Sequence, residues 1–103
     1  GFAAINTIPR KVYSPDGGQA LPGEGRLSSG TCGYAIGSLA EEVTKNLIDL
    51  RTKWKDEFVI CSVGGMMTAQ DLHRRLDMGA DIVMSATAAM WDPYLAQKFH
   101  EYK

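Results

Sequence analysis

The sequence has few cysteines, no excess of either charge and no long apolar run, and each shortage excludes a class of protein. Two cysteines, Cys32 and Cys61, are too few and too far apart for a disulfide framework or a metal cluster. With 11 basic side chains against 12 acidic ones the net charge is -1, which provides no electrostatic footprint for nucleic acid or an anionic membrane. No segment is long and apolar enough to span a bilayer, and no signal-peptide pattern is present. A reducing, cytoplasmic setting is the expectation. The opening Gly1-Phe-Ala-Ala-Ile5 reads as a strand already under way with no initiator methionine, which predicts a chain trimmed or truncated from a longer one.

What is present suits one small domain: 103 residues, 45% of them hydrophobic. Phe2 to Ile5 is a short apolar run, suited to a strand buried on both faces and ending at the polar pair Asn6-Thr7. Residues 8 to 34 hold three of the four prolines and six of the eleven glycines, so a long loop is predicted there. Ser38 then reads as a helix N-cap with Glu41 as its capping-box partner. Leu39, Val43, Leu47, Leu50 and Trp54 follow at helical spacing as an apolar face.

The run Phe58-Val-Ile-Cys-Ser-Val-Gly-Gly-Met66 predicts a buried strand over Phe58 to Ser62, with Cys61 as a small buried hydrophobe. A helix from Thr68 to about Met78 comes next, capped by Thr68, with Leu72 and Leu76 facing the core and Gly79 ending it. Asp81 to Ser85 is a third strand, Ala86 to Met90 a short helical turn, and Asp92-Pro93 the start of a last helix. Strands alternating with helices predict an α/β fold with parallel strands. Three such units leave sheet edges open, which implies a larger sheet or barrel.

In parallel α/β folds, sites form at the C-terminal ends of the strands. Those ends are Asn6-Thr7, Gly64-Gly65 and Ala86-Thr87. Paired glycines before a helix expose backbone N–H groups and let an anion come close, while Thr87 adds a hydroxyl. A phosphate held between the last two strands is one reading. A tight turn at Gly64-Gly65 and a simple helix cap at Thr87 is the other.

Four phrases occur in the order seen in one enzyme family: Ala4-Ile-Asn-Thr-Ile8, Ser29-Gly-Thr-Cys-Gly-Tyr-Ala-Ile36, Val63-Gly-Gly-Met66 and Met78-Gly-Ala-Asp-Ile-Val-Met-Ser-Ala-Thr-Ala88. Over essentially the whole chain they resemble the dihydroorotate dehydrogenases. The resemblance implies that residues 1–103 are the C-terminal segment of one FMN-binding (β/α)8 barrel domain, its last three β/α units. The missing N-terminal barrel portion would then be a partner, and a homo-oligomer is expected.

By the same resemblance, Asn6 matches an asparagine whose amide hydrogen-bonds the dihydropyrimidine substrate, and Thr7 its hydroxyl-bearing neighbour. Gly30 and Gly33 match the glycine-rich loop against the flavin, and Gly64, Gly65, Ala86 and Thr87 match the amides that hold the FMN phosphate. The complete enzyme would oxidise dihydroorotate to orotate in pyrimidine biosynthesis, passing a hydride to the flavin and a proton to a base.

Ser29 and Cys32 depart from the family's usual Gly-Gly-Leu-Ser-Gly, and Ala86 stands where glycine is commoner. The catalytic base and the flavin-contacting lysines are expected upstream, so no catalytic residue and no metal ligand is assigned here. Cys32 is the one side chain that suggests itself as a base, and it has no visible partner. His73, His100 and the Arg74-Arg75 pair read as solvated helix surface, and the five methionines as packing. The flavin domain of dihydropyrimidine dehydrogenase is also similar, so a reductase of that kind is one alternative. A non-catalytic phosphate-binding half-barrel is another.

Overall fold

A computed structural model describes residues 1–102. In chain order it contains β1 (Phe2–Ala4), β2 (Ile8–Lys11), β3 (Ser28–Thr31), a 3-10 turn over Gly33–Ile36 and α1 (Gly37–Trp54). Then come β4 (Ile60–Val63), α2 (Ala69–Asp77), β5 (Ile82–Met84), α3 (Thr87–Trp91) and α4 (Leu95–Glu101). Strands β1, β4 and β5 form a parallel sheet in the order β1-β4-β5, with Ala3 opposite Cys61 and Cys61 opposite Ile82. No helix among the described residues is long and apolar enough to cross a membrane.

Residues 8 to 34 are not one open loop. Strands β2 and β3 pair antiparallel, Ile8 against Thr31 and Lys11 against Ser28, and close a ribbon across the intervening turns. The proline and glycine content lies largely in those turns and hid a ribbon whose strands are only four residues long.

Helix α1 lies on β4 through small residues. Ala40 and Thr44 are its buried positions, and the Thr44 hydroxyl meets both Ala40 O at 2.8 Å and Ser62 Oγ at 2.7 Å. The apolar stripe read from Leu39 to Trp54 is therefore rotated off the true contact: Leu39, Val43 and Leu47 are half-buried, and Trp54 is 65% exposed. Ser38 is not the cap either. The 3-10 turn runs straight into the helix, Ile36 occupies the N-cap position without a side-chain bond, and Glu41 instead pairs with Arg74 at 2.7 Å.

Helix α2 starts as the sequence indicates. The Thr68 hydroxyl accepts from Asp71 N–H, and the Asp71 carboxylate accepts from Thr68 and Met67 N–H. Gly79 follows with φ +120°, which suits glycine. Leu72 joins Met66, Ala88 and Leu95 in the buried core beneath α2, α3 and α4. The last helix begins later than read: Tyr94 is its N-cap, and Asp92 accepts from Tyr94 N–H while pairing with Lys98.

At the N-terminal ends of β4 and β5, one ion pair ties three elements together. Arg51 near the end of α1 donates to Asp81 Oδ2 at 2.7 Å, to Phe58 O at 3.1 Å and to Gly79 O at 2.9 Å. Asp81 also accepts from Ile60 N–H at 2.9 Å. These bonds hold the Asp81 carboxyl below the usual carboxylate range, the Ile60 amide first and the Arg51 guanidinium second.

Helices α1 and α2 pack on one face of the sheet. The other face carries Ala3, Ile82 and Met84, all exposed, so β1 is not buried on both sides as its composition suggests. Met84 and Met90 are exposed as well, whereas Met66 is in the core.

Candidate functional site

A cavity of about 290 Å³ opens where β1, β4 and β5 end. Its lining includes Asn6 and Thr7 after β1, Gly64 and Gly65 after β4, and Ala86 and Thr87 after β5. Gly33, from the turn between β3 and α1, completes it. Seven of the eight residues singled out by sequence thus share one cavity. Gly30 is outside it: it sits in β3, where a Cβ would clash with Thr7 Oγ1.

The chain turns here in conformations that glycine tolerates. Gly64 and Gly65 have φ of +115° and +73°. Their roles differ. A Cβ on Gly65 would run into the Gly37 backbone, so this glycine is required by the close approach of α1. A Cβ on Gly64 would press on Ala40 at 3.0 Å and on Ile36 at 3.2 Å.

Sequence reasoning passed over the apolar part of the lining, which comes from Ile5, Ile36, Met67 and Met84. Among the described residues the lining carries no charged side chain; its polar groups are hydroxyls, the Asn6 amide and the Cys32 thiol. Asn6 Oδ1 accepts from Thr7 N–H at 2.8 Å, which leaves the side-chain NH2 as a donor. Thr87 Oγ1 lies 3.5 Å from Cys32 Sγ, and Ser85 Oγ donates to Met66 O at 3.1 Å. The first N–H groups of helix α3, which like those of any helix have no intrahelical acceptor, receive none from an N-cap side chain either.

Two expectations about basic residues need correction. Arg75 is not exposed: it is 1% accessible, with Ser62 and Thr44 the other buried polar residues. Its guanidinium donates to Ser62 Oγ at 2.9 Å and to Gly37 O at 2.8 Å, and reaches Gly64 O at 3.4 Å. Burial lowers its pKa, and Glu41 opposes that effect from 3.9 Å. The signal was in the spacing, since Arg75 follows Leu72 by three residues and shares its face. His73 is likewise half-buried rather than solvated. Its ring stacks on Phe99 with centroids 4.3 Å apart, and Nε2 donates to Phe99 O at 2.8 Å, joining α2 to α4.

No protein-family model matches the sequence. Among curated proteins, a dihydroorotate dehydrogenase of Dictyostelium discoideum is 38% identical over 96% of this chain and 27% of its own length. Dihydroorotate dehydrogenase (quinone) of Kineococcus radiotolerans is 36% identical over 89% of the chain and 24% of its own length. The enzyme of the same name from Pseudarthrobacter chlorophenolicus is 32% identical over 97% of the chain and 27% of its own length. The chain spans about a quarter of the length of these relatives. Since these relatives match it over 89–97% of its sequence, the chain belongs to the dihydroorotate dehydrogenase family.

Proposed function

We propose that this chain is the cofactor-phosphate end of an FMN-dependent dihydroorotate dehydrogenase, forming the last three β/α units of its barrel. In this reading the amides of Gly64, Gly65, Ala86 and Thr87 hold the FMN phosphate, and Gly30 and Gly33 belong to the loop beside the flavin. Asn6 and Thr7 face the dihydropyrimidine. The observation that carries it is the convergence of seven of these residues on one cavity at the ends of three parallel strands.

The residues present fit the group. Glycine at position 33 leaves room beside Thr87, since a Cβ there would lie 3.3 Å from Thr87 Cγ2. Amide donors and a hydroxyl suit a phosphate without needing a cation, and Ile5, Met67 and Met84 offer apolar surface to a ring. When bound, FMN supplies the two-electron acceptor for dihydroorotate oxidation. This chain's residues bind and orient. The Asn6 side-chain NH2 is available to a substrate carbonyl. A proton-accepting base is assigned to the rest of the enzyme.

Amide resonances test the assignment. FMN is expected to shift the N–H signals of Gly64, Gly65, Ala86 and Thr87 while leaving those of Gln97 to Glu101 in α4 unmoved. Shifts confined to regions away from the cavity would contradict it.

A further inference from the structure

A second cavity, of about 320 Å³, is bordered by Gly65 of the same turn and by the start of α1. The two cavities share Gly65 and Met66, but Arg75 lines only the second, together with Glu41 and Arg74. Gly65 and Met66 therefore border both cavities, and the guanidinium borders the second.

We infer that Arg75 is a positioning residue for the Gly64–Gly65 turn, directing the Gly65 N–H into the strand-end cavity by holding the Gly64 carbonyl on the other side. The peptide between the two glycines is trans, so its carbonyl and its N–H point in opposite directions. The guanidinium lies 3.4 Å from that carbonyl, a long hydrogen bond that biases the plane of the peptide. It also polarises the unit and makes its N–H a stronger donor toward an anion. The same guanidinium nitrogen holds Gly37 O at 2.8 Å, which fixes the first residue of α1 against Gly65 where the backbones come closest. The other terminal nitrogen is anchored at 2.9 Å by Ser62 Oγ, inside β4. One side chain thus joins the strand, the turn and the start of α1.

The fork geometry matters as much as the charge. Lysine would bring a point charge to the same place but not two donors in a fixed plane. Arg75 Nε is buried and has no hydrogen-bond partner, with Glu41 Oε2 at 3.9 Å as its nearest counter-charge. That is a costly arrangement for a residue that contributes only stability.

The part of this inference concerning phosphate rests on the FMN reading above; the part concerning the turn does not. Arg75→Met and Arg75→Lys variants separate them, with Arg74→Met as the surface control. Amide hydrogen exchange without ligand is the first readout. Exchange at Gly64, Gly65 and Met66 is expected to quicken at least tenfold in Arg75→Met and by less in Arg75→Lys, with Leu72 and Leu95 unchanged. Equal quickening throughout the chain, or none at the turn, would overturn the positioning role. The second readout is the ratio of FMN to riboflavin affinity, expected to fall at least tenfold in Arg75→Met and to be unchanged in Arg74→Met. If the parent chain binds FMN no better than riboflavin, the phosphate reading fails, and the exchange data still decide the turn.

Discussion

At the residue scale, glycine and one buried arginine shape the site more than any reactive group does. Gly65 is fixed by packing: its φ of +73° and the Gly37 backbone leave no space for a side chain. Gly65→Ala is expected to destabilise the fold by about 1–3 kcal/mol, read from urea unfolding, because the added methyl must push α1 away. An unchanged unfolding midpoint would show that the turn can relax without cost. The sequence made the glycine pair visible because few other residues stand before a helix in that way. It did not reveal that one glycine serves helix packing. That contact joins residues 37 and 65, and no local pattern records it. Arg75 was misread for a related reason, since its partners Ser62, Gly37 and Gly64 lie on three other parts of the chain.

At the element scale, α2 and β5 were legible because their signals are local. The Thr68–Asp71 capping box and the positive-φ Gly79 both act within one turn of the chain they end. Thr68→Ala is expected to cost about 1 kcal/mol in thermal or urea unfolding. The start of α1 was misplaced because a 3-10 turn leads into it, and its buried face was misjudged because Ala40 and Thr44, not leucines, touch the sheet. The β2–β3 ribbon was missed because Gly30 and Pro9 weaken the strand signal.

Acid should act at this scale. Asp81 is held below its ordinary pKa by the Ile60 amide and Arg51. Asp71 is as well, where the Met67 and Thr68 donors outweigh the effect of burial. A depressed folded pKa gives stability that is complete above the unfolded value and is lost as pH falls through the folded one. Stability is therefore expected to fall below about pH 4, and Asp81→Asn to flatten that fall while lowering stability at pH 7. A variant with the parent's acid profile would show that the Arg51–Asp81 tie does not contribute.

At the scale of the whole molecule, the shape is that of an open layer. The extents are 48 × 35 × 17 Å and the radius of gyration is 16.1 Å, against about 13 Å for a compact chain of this length. Strands β1 and β5 are the sheet's outer strands, and the face bearing Ile82 and Met84 is exposed at 49% and 52%. Unpaired edges and exposed apolar faces favour association. Sedimentation is therefore expected to show self-association of the chain, and a monomer at high concentration would contradict it. Dihydroorotate oxidation by the chain alone is expected to be undetectable, since among the described residues the cavity lining holds no histidine, lysine or carboxylate to activate Cys32, whose side-chain contact is the Thr87 hydroxyl at 3.5 Å. Measurable turnover would overturn the assignment of the base to another part of the enzyme. The alternation of strands and helices was legible at this scale, and so was the meeting of three strand ends. The apolar walls of the cavity were not, because Ile5, Ile36, Met67 and Met84 come from four separate segments.

The most direct measurement is a fluorescence titration of the chain with FMN, and with riboflavin as the phosphate-free control. Saturable binding of FMN and much weaker binding of riboflavin are expected if the strand-end amides recognise the phosphate. Equal affinity for the two, or binding of neither, would contradict that recognition.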